Sequence, residues 1–261
     1  MADPRPSPPR LKREHEALAG LPYARHATDD IVVLDSGALM MAFQIQGAAF
    51  ETADMRDQND WHTKLNQAWR NLADDRLAVW HHIVRREVRA ESTTGFRSEF
   101  AAGLSRAYEA RLDSRRLFVN ELFVTLIIHP GRDAGDRTAA LLRRLRTARR
   151  ADQEIADGLV KRLQDAGRDL EQYLGRYAPR RLGLYEHRGI WCSEPMELVR
   201  LVLTGRADRI PIVRGHLGSA VYTVRAIFGR ESLELRDLNG SRFAGILAIK
   251  EYPASTYPGL W

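Results

Sequence analysis

The longest apolar stretch of this chain is the run 117–128, which is interrupted by the polar pair Asn120 and Glu121. A helix that crosses a lipid bilayer needs about 20 consecutive apolar residues, so this run is too short to span a membrane. Its many β-branched and aromatic residues are the types that pack well in sheets. His129, Pro130 and Gly131 follow and end the run. The pattern therefore predicts a central β-strand over residues 117–129.

Two β-hairpins are predicted near the ends of the chain. In the first, residues 31–34 and 39–46 are joined by a turn at Gly37, and apolar residues at alternate positions of the second strand predict one buried face and one half-exposed face. In the second, Asn239-Gly240 is a strong turn signal between strands at 232–237 and 242–249. Further strands are expected at 77–88, 182–185 and 221–228.

Apolar residues repeating every 3.6 positions predict three helices between these strands. The first has an N-cap at Asp57, Asn59 or Asp60, and its buried face comprises Trp61, Leu65, Trp69 and Leu72. The second has one apolar side made of Phe96, Phe100, Leu104, Tyr108 and Leu112. The third covers 194–204 and has a proline in its first turn.

The segment 136–177 is also predicted to be helical, with a break near 149–152 or at Gly167. Its apolar stripe consists of Ile155, Leu159, Leu163, Leu170 and Leu174. A helical hairpin of this kind would form either a projecting arm or a small separate layer. Because strands and helices do not alternate strictly, the order favours an α+β fold with a mainly antiparallel sheet. We expect a flexible tail at 1–28, one α+β domain at 29–252 and a linker at 253–261.

The chain is basic, with a formal net charge of +6, and all but four of its 40 Lys and Arg residues are arginine. Arg143, Arg146 and Arg150 would share one helix face and could bind an anionic lipid, a nucleic acid or an acidic partner. The alternative for this cluster is a solvated helix face whose charge is balanced by the acidic residues that follow. The alternative for the arginine-rich composition is a GC-rich genome that encodes arginine in place of lysine. A free-standing basic nucleic-acid-binding protein therefore stays open as a second hypothesis.

Known catalytic motifs are absent from the sequence. A Walker A loop needs a lysine that follows glycine and precedes Ser or Thr, and none of Lys12, Lys64, Lys161 and Lys250 has these neighbours. His81 and His82 are adjacent on a predicted strand, so their side chains should point to opposite faces and cannot share a metal ion. The single cysteine, Cys192, excludes an internal disulfide. We therefore expect no catalytic residue, cofactor site or metal site in this chain.

The end of the chain resembles the segment that precedes the motor domain in type IV secretion and conjugative-transfer ATPases of the CagE/TrbE/VirB class. The matching motif comprises Lys250, Glu251, Tyr252, Pro253, Thr256, Pro258 and Gly259. Supporting similarities occur earlier in the same order, at the 31–39 hairpin, the Phe50-Glu51-Thr52 exit and the Asn120-Glu121-Leu122 strand. The resemblance extends over about residues 21 to 260.

This resemblance implies a non-catalytic docking and assembly role, because no catalytic residue of the family falls on these positions. ATP and Mg²⁺ would be bound only by a carboxy-terminal motor domain. The implied partners are a small inner-membrane secretion component and scaffold proteins of the complex, and the full-length protein would be a homo-oligomer. The implied location is the cytoplasmic face of the inner membrane, where peripheral membrane contact is also expected.

Overall fold

The computed structural model describes residues 20–48, 53–88, 95–113, 116–130, 149–222, 224–229, 232–238 and 240–248. The strands of its main sheet are β1 (Tyr23–His26), β2 (Ile31–Leu34), β3 (Leu39–Ile45), β4 (Leu77–Val88), β5 (Leu117–Ile128) and β6 (Arg180–Arg181). The helices of the described part are α1 (Met55–Leu72), α2 (Glu99–Asp113), α3 (Arg149–Tyr173), α4 (Glu194–Thr204) and α5 (Leu217–Val221).

The main sheet has the strand order β1-β2-β3-β5-β4, and β6 pairs with β3. All of these pairs are antiparallel. The apolar run 117–128 is β5, which lies between β3 and β4 as a central strand should. The predicted α+β class with a mainly antiparallel sheet is confirmed.

The first predicted hairpin is present as β2 and β3, and its turn places Gly37 at φ +81°, a conformation that glycine adopts without strain. The expectation of a half-exposed face on β3 is wrong. Met40 and Ala42 are as buried as Met41 and Phe43. The reason is that helices cover both faces of the sheet, so small and flexible residues also become core residues.

One face of the main sheet, called here the first face, is covered by α1 and α3. The buried residues of this layer are Ile31, Leu39, Met41, Phe43, Leu72, Val124, Leu126, Ile128, Leu163, Leu170 and Leu174. Full burial of one such side chain contributes about 1.5–3 kcal/mol, so the helix stripe predicted from Leu163, Leu170 and Leu174 is a main source of this layer's stability.

Helix α3 runs through Gly167 without a break and packs on the first face, so the prediction of a projecting arm is wrong for residues 159–174. The glycine permits a close approach between helix and sheet: a Cβ atom at this position would lie 2.7 Å from the Met41 sulfur. The alternative prediction, a helical layer, describes this part correctly. Residues 136–148 lie outside the described part of the chain.

The second face of the sheet is covered by α4 and α5. Its core comprises Val32, Met40, Ile127, Met196, Val199, Ile210, Leu217 and Val221, with a neighbouring cluster of Ala42, Phe123, Leu182, Leu198 and Leu201. The bounds of α4 are those predicted at 194–204. Ser193 caps the helix by accepting a hydrogen bond from the Met196 amide, and Gly205 ends it at φ +67°.

The buried Arg200 of α4 joins the two helices of this layer. The residue is 7% exposed, and its side chain donates hydrogen bonds to the carbonyls of Ala220 and Val221, at 3.1 and 3.2 Å. These carbonyls are at the C-terminus of α5, where backbone acceptors lack helical partners and a positive charge is favourable. Arg200 therefore holds α5 against α4.

Two smaller sheets complete the described fold. β7 (Leu184–His187) and β8 (Ile190–Ser193) form a hairpin, and β9 (Arg225–Phe228), β10 (Leu233–Asp237) and β11 (Gly240–Ala244) form a three-stranded antiparallel sheet. The ion pair between Arg206 and Asp237, at 2.9 Å, attaches this sheet to the end of α4.

Several predicted boundaries are corrected. α1 begins at Met55 with Asp54 at its N-cap position, one turn earlier than expected, because polar residues continue the helix before its apolar face begins. The strand expected at 221–228 starts only at Arg225, and Val221 is instead the last residue of α5. The tail assigned to 1–28 includes β1, which pairs with β2. β11 ends at Ala244, which pairs with Leu233, the first residue of its antiparallel partner β10.

Candidate functional site

The residues predicted to carry function from sequence lie largely outside the described structure. Arg143 and Arg146 are not described; Arg150 is in the first turn of α3, but its side chain is not described. The linker 253–261 also lies outside the described residues, and so does the terminal motif of Lys250, Glu251, Tyr252, Pro253, Thr256, Pro258 and Gly259. The roles of these residues remain sequence-based predictions. The candidate surfaces described below are formed by other residues.

Metal-ligating groups are not clustered in the part of the chain that the structure describes: no three His, Cys, Asp or Glu residues lie close enough to hold an ion. His81 and His82 point to opposite faces of β4, as their adjacent positions predict; His82 lies over the second face and His81 does not. None of the described helices combines the length and the apolar character that a membrane crossing requires.

Helix α2 exposes the apolar residues that its sequence places on one side. The exposed fractions are 81% for Phe100, 62% for Leu104 and 62% for Tyr108, and Phe96, just before the helix, is 43% exposed. We call these four residues the α2 stripe. None of its members belongs to a core cluster of the described residues.

The strands on either side of α2 form a two-stranded ribbon that extends beyond the main sheet. β4 and β5 pair along their full length to Val88 and Leu117, whereas β3 pairs with β5 only as far as Leu122. The ribbon end exposes Ile83 and Phe118 on one face, at 62% and 42%, and Val119 on the other, at 39%. Large apolar residues exposed together mark interaction sites more often than isolated ones do.

Arginine–carboxylate pairs link the two strands at the ribbon end. Arg86 of β4 makes two hydrogen bonds to Glu121 of β5, at 2.8 and 2.5 Å, and these bonds raise the pKa of the Arg86 guanidinium. Arg116 pairs with Glu87 at 2.8 Å. The guanidinium groups of Arg85 and Arg116 lie 4.6 and 5.4 Å from the centre of the Phe118 ring. The exposed surface is thus apolar with a basic margin.

An apolar groove of about 260 Å³ lies on the second face, between β4 and α4. Its walls include Pro22, Tyr23, Met40, Ala78, Trp80, His82, Thr125, Ile127, His129, Val199, Val202 and Leu203. Trp80 is 53% exposed, and Val202 and Leu203 are each 45% exposed. The groove is therefore open to solvent where these three side chains lie.

His82 lines this groove and has an unsatisfied hydrogen-bonding atom. Its Nδ1 atom is buried and has no hydrogen-bond partner among the described residues. Burial lowers the pKa of His82, and the neighbouring His81 lowers it further through repulsion between the two positive charges. A buried nitrogen without a partner is costly, so a ligand or segment that supplies a hydrogen bond would be favoured here.

Sequence patterns alone did not identify these surfaces. The apolar side of α2 has the same spacing as that of α3, and periodicity does not indicate which stripe finds a partner within the chain. For the groove, Trp80 and Val202 belong to elements that are distant in sequence and meet only in the folded sheet. The one available signal was the presence of large aromatic residues within the polar segment 96–113.

Comparison with known proteins identifies two family models along the chain. Residues 30–135 match the N-terminal domain of the type IV secretion system ATPase VirB4/TrbE, and residues 180–261 match the CagE, TrbE, VirB family, a component of the type IV transporter system. The two matches occur in the order expected from the resemblance and include both the hairpin at 31–39 and the terminal motif.

Curated relatives agree with these matches. The chain is 36% identical to the type IV secretion system protein virB4 of Bartonella henselae over 250 residues, which is 96% of this chain and 32% of the relative. It is 36% identical over 241 residues to protein virB4 of Agrobacterium fabrum, covering 92% and 30%. With PtlC of Bordetella pertussis the identity is 29% over 257 residues, covering 96% and 31%.

The chain spans about a third of the length of these relatives. The family model that matches its first half is specific to the amino-terminal domain. The chain therefore belongs to the VirB4/TrbE family of type IV secretion system ATPases and corresponds to the amino-terminal region of that family.

Proposed function

We propose that this chain is a docking and assembly module that links the motor of a type IV secretion ATPase to the inner-membrane complex. The observation that carries the proposal is the α2 stripe, in which Phe100, Leu104 and Tyr108 are each more than half exposed. Burial of one such side chain at an interface contributes about 1.5–3 kcal/mol, so a partner that covers all three would gain substantial affinity.

The partner that fits best is an apolar helix or groove of a small inner-membrane secretion component. An amphipathic helix commonly binds by laying residues at i, i+4 and i+8 into an apolar groove, and Phe100, Leu104 and Tyr108 have this spacing. Scaffold proteins of the complex and further copies of the same protein would then assemble around this first contact. Such a contact would hold the module at the cytoplasmic face of the inner membrane.

The module itself is proposed to be non-catalytic. No lysine of the chain has the neighbours of a Walker A lysine, whose ammonium group must reach the terminal phosphates of the nucleotide. ATP and Mg²⁺ are accordingly assigned to a motor domain beyond these residues.

Co-expression tests the docking role. The chain is produced with the small inner-membrane component of its own secretion system, extracted in mild detergent and purified by a tag on the membrane component. We expect the chain to co-purify in a defined stoichiometry, measured by light scattering after size exclusion. An unrelated membrane protein with the same tag is the control, and equal recovery with that control would contradict the proposal.

The same sample tests the absence of catalysis. Phosphate release from MgATP is measured for the chain alone and for the co-purified complex, and we expect none above the buffer rate in either case. Turnover that persists through size exclusion with the chain would contradict the non-catalytic role. Nothing in the observed sites favours the nucleic-acid-binding alternative.

A further inference from the structure

Strand β4 forms one edge of the main sheet and, among the described strands, pairs with β5 alone. The free side of an edge strand carries N–H and C=O groups that can hydrogen-bond to an added strand, and native proteins usually protect such an edge with charged residues or proline. Residues 77–84 of β4 contain no Lys, Arg, Asp, Glu or Pro. Val79, Trp80 and Ile83 in this stretch are 39%, 53% and 62% exposed. This part of the edge therefore lacks the usual protection against pairing.

The apolar groove lies beside this edge, on the second face of the sheet. Ala78, Trp80 and His82 all line it, because alternate residues of a strand share a face. Val202 and Leu203 of α4 line it from the helix side. The stretch from residue 78 to residue 82 extends about 13 Å at the usual rise of a strand. A strand added along the edge would thus place its own alternate side chains over the groove.

The combination of a free edge and a groove favours a polypeptide as the occupant. A lipid chain would cover the apolar walls, but it would leave the backbone groups of the edge and the buried Nδ1 atom of His82 without hydrogen bonds. An extended peptide brings both kinds of contact. Domains that bind peptides by strand addition gain affinity from main-chain hydrogen bonds and specificity from pockets for alternate side chains.

The charge distribution along β4 disfavours a second copy of the same strand as the occupant. The uncharged residues 77–84 are followed by Arg85, Arg86 and Glu87. In a symmetric antiparallel pair centred on the middle of β4, the charged end of each copy would lie beside the uncharged end of the other. A strand from a different protein is free of this constraint and needs only a short uncharged segment.

We propose that the free edge of β4 binds an extended, uncharged segment of a different protein. The segment adds a strand to the main sheet and places apolar side chains, at alternate positions, in the groove between β4 and α4. The groove shares no residue with the α2 stripe. Strand addition at β4 is therefore a second interaction, and its test is independent of docking through α2.

Synthetic peptides test the proposal on the full chain. The probe is a set of fluorescein-labelled heptapeptides that carry Leu, Ile, Val or Phe at every second position and Thr elsewhere, and binding is measured by fluorescence anisotropy. We expect saturable binding by members of this set. Singly N-methylated versions of the best peptide then identify the binding mode. Because alternate residues of a strand direct their N–H groups to the same neighbour, N-methylation should weaken binding about tenfold at every second residue and little in between.

Two variants of the chain locate the binding site. Val202→Glu places a charge in the groove at a residue that is already 45% exposed, and we expect it to weaken peptide binding at least tenfold. Ile190→Glu is the matched control, because Ile190 is 55% exposed on β8 and does not line the groove. It should bind the peptide as the wild-type chain does.

Three results would overturn the proposal. The first is the absence of saturable binding by every peptide of the set, and the second is an N-methylation effect without a two-residue period. The third is equal binding by Val202→Glu and the wild-type chain. Light scattering of the peptide-free chain covers the remaining occupant: self-association that Val202→Glu abolishes would assign the edge to a second copy and would also overturn the proposal.

Discussion

Gly167 of α3 lies directly against Met41 of β3. A Cβ atom at the glycine would stand 2.7 Å from the Met41 sulfur and 3.3 Å from the Phe43 ring. Both of these side chains are fully buried, so neither can move aside freely. This close contact lets the helix pack directly on the sheet as a layer. The first face of the sheet is therefore part of the core.

A larger residue at this contact should loosen the layer. We predict that Gly167→Leu lowers the free energy of unfolding by about 1–3 kcal/mol, the usual cost of overpacking a core. Gly158→Leu on the same helix is the matched control, because no described atom lies within 4 Å of the Cβ position there. Urea unfolding measures both variants. Equal stability of the two would contradict the packing described for α3.

Arg200 provides a second test, on the opposite side of the sheet. Replacing it by Met leaves the carbonyls of Ala220 and Val221 without their charged donor, and each unsatisfied buried acceptor costs about 1–3 kcal/mol. We expect Arg200→Met to destabilise the protein measurably in thermal unfolding, and Arg200→Lys to destabilise it less. Exposed Arg209 supplies the control, and an Arg209→Met variant as unstable as Arg200→Met would contradict the assigned role.

Tyr185 should make stability depend on alkaline pH. Its hydroxyl donates a hydrogen bond to Glu197 at 2.8 Å, and burial together with this carboxylate raises its pKa to about 12. A tyrosine in the unfolded chain titrates near pH 10. Because the folded pKa is the higher one, this stabilisation is complete below about pH 10 and is lost as the pH rises towards about 12.

Urea unfolding at a series of pH values measures this effect. We expect the stability of the wild-type protein to fall between about pH 10 and 12 by more than that of Tyr185→Phe, which cannot ionise. The burial of Tyr23 raises its pKa as well, but that contribution is common to both proteins. Parallel pH profiles would show that the Tyr185–Glu197 contact does not exist in solution.

Much of the fold follows from local sequence patterns. The bounds of β4 and α4 agree with those predicted at 77–88 and 194–204, and β5 ends at Ile128, one residue before the predicted end, because apolar periodicity and flanking turn residues define each element. Periodicity does not specify where an element packs. For this reason the sequence leaves both an arm and a layer open for α3, and the burial of Leu163 and Leu170 together with the contact at Gly167 decides for the layer.

The candidate site is harder to predict from the sequence than the fold is. The sequence predicts an apolar side on the helix from Phe96 to Leu112 but not what covers it, since burial within one chain and burial against a partner require the same residue spacing. The groove depends on Trp80 and Leu203 meeting across the sheet, which is a tertiary property. Family resemblance was informative where patterns were not, because it rests on specific residues such as the Lys250-Glu251-Tyr252-Pro253 motif.

The affinity of this chain for the small inner-membrane component of its secretion system tests the docking proposal most directly. Titration in detergent compares the wild-type chain with Leu104→Glu, which places a charge in the centre of the α2 stripe, and with Ala110→Glu on another exposed face of the same helix. We predict that Leu104→Glu weakens binding at least tenfold, equivalent to about 1.4 kcal/mol, and that Ala110→Glu leaves it unchanged. Equal binding by all three proteins would contradict docking through α2.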